Sequence, residues 1–83
     1  MSGLPDITSP ETAAGGSVAL TVNGERREVP AGTTVADLLA ALAVSARGSA
    51  VERNRELVPR RDHAATVLAA GDRVEVVTLV GGG

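Results

Sequence analysis

Three consecutive glycines, Gly81-Gly82-Gly83, directly follow the β-rich run Arg73 to Val80. Glycine has no Cβ and adopts almost any φ/ψ, so such a run forms a thin, flexible stalk that can thread into a narrow active site of another protein. The group this stalk delivers is the α-carboxylate of Gly83, and the rest of the chain is predicted to present it. Chain ends also fray without any function. What separates a delivered carboxylate from a slack end is the domain in front of it.

The other reactive side chains form no constellation. There is no cysteine, which removes thiol nucleophiles, disulfides and Cys-ligated metals. His63 beside Asp62 has the form of an oriented base, but no serine in a recognisable motif accompanies it, and it reads as a surface or loop histidine. Arg53, Arg55, Arg60 and Arg61 are interleaved with Glu52, Glu56 and Asp62, which predicts a solvated, locally paired surface rather than a phosphate site. Gly15-Gly16 lacks the GK[ST] that completes a phosphate loop and reads as a hinge. Asp6, Glu11, Glu52 and Glu56 lack metal-loop spacing.

Composition narrows the partners. The 83 residues make one small domain at most. There are no aromatic residues, so the core must come from Val, Leu, Ile and Ala, and the stacking platforms of single-strand nucleic-acid binders are missing. All eight basic residues are arginine, and residues 17–83 balance them with eight acids, so the net charge of −2 comes from Asp6 and Glu11. A neutral domain carries no electrostatic footprint for nucleic acid or an anionic membrane. No stretch has the length of a membrane span or the charge pattern of a signal peptide, and a cytoplasmic protein is expected.

The elements that would hold the stalk follow from the pattern. Residues 1–16 mix Pro, Gly, Ser and Thr without period and are predicted to be a disordered extension. Val18, Leu20 and Val22 alternate as a strand, Asn23-Gly24 signals a type I′ hairpin, and Glu25 to Val29 returns until Pro30. Thr34 caps a helix with Asp37 completing a capping box, and Val35, Leu38, Leu39 and Leu42 form its apolar stripe. Ala50 to Arg53 and Glu56 to Val58 read as two strands around an Asn54-Arg55 turn. A short helical or irregular link over Arg60 to Ala65 follows, and Gly71-Asp72 turns into the last strand, Arg73 to Val80. One helix covers one face of a four- to five-stranded mixed sheet, an α+β roll over 17–80 followed by the tail 81–83. The last strand must be central for Val74 and Val76 to reach the helix. Its opposite face then shows Val77 and Leu79 to solvent, the predicted docking surface.

These segments, in this order, resemble the ubiquitin-like β-grasp sulfur carriers, and most closely the ThiS family of thiamine biosynthesis. The matching runs are Val22-Asn23-Gly24-Glu25, Gly32 to Leu39, Ala50 to Asn54, Glu56 to Arg60, Gly71 to Val77 and Val80 to Gly83. The resemblance implies that Gly83 is adenylated by an enzyme of the ThiF type, using ATP and magnesium that this chain does not itself bind. A persulfide donor then supplies sulfur, and the resulting thiocarboxylate serves a thiazole synthase of the ThiG type. The chain would thus be a co-substrate and not an enzyme. Molybdopterin synthase's small subunit uses the same chemistry, but commonly has prolines before its glycines where this chain has Thr78-Leu79-Val80. A protein modifier joined through Gly83, and a binding module with a slack tail, are the remaining alternatives.

Overall fold

The computed structural model describes residues 16–79. The extension expected over 1–16, except Gly16, and the glycine tail with Val80 lie outside the described residues.

Ser17–Val22 forms β1 and Glu25–Pro30 forms β2, paired antiparallel. The turn between them places Asn23 at φ +52° and Gly24 at +86°, the two positive values a type I′ turn requires. A second tight turn, Asn54 at +53° and Arg55 at +71°, joins β3 (Ser49–Arg53) to β4 (Glu56–Val58). The predicted link is a 3₁₀ turn over Arg60–Ala65, and β5 spans Arg73–Thr78.

The single α-helix among the described residues, α1, spans Val35–Ala41. The Thr34 hydroxyl accepts from the Asp37 N–H and the Asp37 carboxylate accepts from the Thr34 N–H, both at 3.1 Å, so the predicted capping box is complete. The Thr66 carbonyl takes the Val35 N–H at 2.9 Å, tying the start of the helix to the segment that leads into β5. The other end closes without glycine. Ala43 adopts φ +59°, Val44 N–H donates to the Leu39 carbonyl at 2.9 Å, and Ala43 N–H donates to that of Ala40 at 3.1 Å, a Schellman motif.

The sheet order is β2-β1-β5-β3-β4, with β5 parallel to β1 and every other pairing antiparallel. The last strand is central, as predicted, and for the predicted reason. Val74 is fully buried with Val51 from β3 and Val35 and Leu38 from α1, and Val76 packs against that core. Burying a side chain of this kind contributes about 1.5–3 kcal/mol. This aliphatic layer between helix and sheet is what holds β5 in the middle.

Candidate functional site

The candidate site is the outgoing end of β5 with the solvent face of the sheet beside it. Three interactions fix that end. Leu79 N–H donates to the Gly48 carbonyl at 2.7 Å, on the β3 side. On the other side β1 has already ended, with its last register partner Val22 opposite Val74. The Asn23 side chain continues the ladder in its place. Its Oδ1 accepts from Val76 N–H at 2.8 Å and its Nδ2 donates to the Val76 carbonyl at 3.2 Å. A turn residue therefore satisfies the backbone of the central strand as a neighbouring strand would.

Asn54, in the other hairpin turn, does the same at the beginning of β5. Its Oδ1 accepts from Arg73 N–H at 2.9 Å and its Nδ2 donates to Asp72 Oδ1 at 3.0 Å. Asp72 is only 6% exposed. Its Oδ2 accepts from Arg53 Nε and from Ala69 N–H, both at 2.8 Å. Burial opposes its ionisation, but the bonds from Ala69, Asn54 and Arg53, with the charge of Arg53, outweigh burial and hold the carboxyl below the usual aspartate range. Sequence reasoning recognised Asn23, Asn54 and Asp72 only as turn formers. Their recurrence at the turns flanking β5 was the available signal.

The predicted docking residues share one face. Val77 is 52% exposed and Leu79 56%, and both stand on the side of β5 opposite the buried Val74. The tail glycines Gly81, Gly82 and Gly83 lie outside the described residues.

Two expectations are corrected. His63 is not a surface histidine: it is 5% exposed, turned inward by the 3₁₀ turn that packs against α1. A carbonyl can only accept, so the 3.1 Å contact makes His63 Nε2–H the donor to Val58 O, while Nδ1 has no partner. The arginine stretch is not paired by its interleaved acids. Arg53 points to the core side, as Val51 does, and reaches Asp72 at the start of the neighbouring β5 instead. Among the described residues, no three His, Asp or Glu side chains converge to hold a metal ion. No helix there is long and apolar enough to cross a membrane.

A five-stranded mixed sheet in this order, with one helix over its core face, defines a ubiquitin-like β-grasp domain. The ThiS family model matches residues 20–83. The crystal structure of the thiamine biosynthesis protein ThiS from Geobacter metallireducens superimposes with a TM-score of 0.69 at 39% identity, covering 80% of this chain and all of that one. Thiazole synthase of Paramagnetospirillum magneticum is 45% identical over 64 residues, 77% of this chain and 20% of that protein. Thiazole synthase of Magnetococcus marinus is 44% identical over 62 residues, 75% of this chain and 19% of that protein. The chain belongs to the ThiS family, and it spans about a fifth of the length of the curated relatives it matches.

Proposed function

We propose that this chain is a sulfur carrier for thiazole formation in thiamine biosynthesis, working through the carboxylate of Gly83. The observation that carries the reading is the family match over residues 20–83, which takes in both the β-grasp domain and the glycine run. The relatives named thiazole synthase contain a homologous stretch as a small part of a larger protein, which supports a role beside that activity.

The chemistry needed is acyl activation. A carboxylate is a poor acyl donor because its leaving group would be oxide. In the proposed cycle a Gly83 carboxylate oxygen attacks the α-phosphorus of ATP on a partner adenylating enzyme, and magnesium-bound pyrophosphate leaves. A persulfide sulfur then attacks the acyl carbon and AMP departs. Cleavage of the remaining S–S bond by a thiol leaves a thiocarboxylate, whose sulfur a thiazole synthase consumes. Every acid, base and metal belongs to the partners. This chain contributes a carboxylate on glycines that need no side-chain clearance, and a face through which the partner holds it, with Val77 and Leu79 at its centre.

The test is adenylation by a ThiF-type enzyme with ATP and magnesium. Full-length chain should form the Gly83 adenylate, while deletion of Gly82 and Gly83 should abolish turnover and leave the far-UV circular dichroism unchanged. A truncated chain that still turns over would overturn the reading.

A further inference from the structure

The solvent face of the sheet carries more than the two docking residues. Leu57 is 64% exposed, and with Val77 and Leu79 it accounts for three of the four large exposed hydrophobics among the described residues. The register places Leu57 and Val77 on one face, and alternation along the outgoing chain adds Leu79. Leu57 on β4 is opposite Glu52 on β3, Glu52 is opposite Glu75 on β5, and Ala50 is opposite Val77 in the next row. An apolar surface next to the outgoing chain is therefore bordered by two carboxylates directly across from each other.

That pair is unfavourable in the isolated domain, since like charges directly opposite on neighbouring strands repel. Among the described residues no cation lies within ion-pair distance of either carboxylate. The ion pairs of the described residues are Arg26 with Glu28 and Arg53 with Asp72. Arg53, the neighbour of Glu52 in sequence, is held on the other side of the sheet by Asp72. Arg73, two positions before Glu75 on the same face, has no acid within ion-pair distance among the described residues. Asn23, beside the end of β5, is neutral and its amide is committed to Val76. A metal ion is the poorer occupant, because no third ligand converges there among the described residues.

We propose that this face receives a partner protein whose apolar surface carries an arginine or lysine, and that the cation enters between Glu52 and Glu75. The inference rests on the carrier reading, and the partner is the adenylating enzyme. Leu57, Ala50, Val77 and Leu79 supply the desolvated seat, and the carboxylate pair supplies the charge complement. A guanidinium bridging both acids makes charge-assisted hydrogen bonds and removes their mutual repulsion. The acid pair thus sets which partner is accepted, and the seat beside Leu79 sets where the chain leaves toward the partner's active site.

The experiment is steady-state adenylation by a ThiF-type enzyme of wild type, the double variant E52Q/E75Q and L57A, each across a range of salt. For the double variant KM should rise by about tenfold or more at low salt, with kcat within about twofold, because the lost contact is made equally in ground and transition states. Wild-type KM should climb with salt more steeply than that of the variant. The variant's thermal midpoint should equal or exceed that of wild type, so the KM rise is not misfolding, and L57A should raise KM with its salt dependence intact. An active wild type whose KM is matched by E52Q/E75Q would overturn this inference and leave the carrier reading standing. A wild type that forms no adenylate overturns both. Light scattering that shows a dimer lost on E52Q/E75Q substitution would assign the face to a second copy and overturn the proposal.

Discussion

At the scale of single residues, Asp72 has the clearest consequence. Its carboxyl titrates below the usual range in the folded chain, so it contributes stability above its unfolded value, about 3.9 for a free aspartate. That contribution is lost as pH falls through the lower folded value. Urea denaturation from pH 7 down to pH 2 should show an acid limb that Asp72→Asn flattens. The same variant should lose on the order of 2 kcal/mol at pH 7, since charge-assisted bonds from Arg53, Asn54 and Ala69 are weakened. Gly82, in the glycine run, has a different consequence. Gly82→Ala should leave the unfolding midpoint unchanged and impair adenylation, because the added methyl crowds the partner's channel. Adenylation at the wild-type rate would remove the reason for glycine in the stalk. The identities of these residues were legible in the sequence, but the burial of Asp72 and His63 was not. Both depend on segments far apart in the chain: Asp72 meets Arg53 across 19 positions, and His63 is buried by the packing of its 3₁₀ turn on α1.

The elements show why some boundaries could be read and others could not. The start of α1 is written locally, as Thr34 and Asp37 three residues apart, and the structure forms both bonds of that box. Thr34→Ala should cost about 1 kcal/mol in thermal or urea unfolding. The end of α1 is not written in the usual residue, because an alanine occupies the left-handed position that glycine fills in most such motifs. Ala43→Gly should therefore stabilise the domain by about 1 kcal/mol, since it relieves the Cβ crowding of φ +59°. A destabilised Ala43→Gly would mean that the alanine methyl is needed for packing. The central place of β5 followed from its alternation of Val74 and Val76 with Glu75 and Val77. Its parallel pairing with β1, and the use of Asn23 to prolong that pairing to Val76, are long-range geometry. Local pattern carries no such information.

For the whole molecule, the same design recurs at each level: the core fixes β5, the two turn asparagines fix its ends, and the open face stands beside its outgoing end. The central place of β5, the α-helix after the first hairpin and the exposed pair Val77 and Leu79 were readable from alternation and helical spacing. The Glu52–Glu75 opposition was not, because it depends on the register between β3 and β5. The measurement closest to the central claim is intact and fragment mass spectrometry of the untagged protein isolated from its own cells. The carrier account predicts a fraction in which one oxygen is exchanged for sulfur, with the change mapped to Gly83. A plain Gly83 that forms neither adenylate nor thiocarboxylate when incubated with ATP, magnesium, a persulfide donor and the adenylating enzyme from the same cells would contradict it.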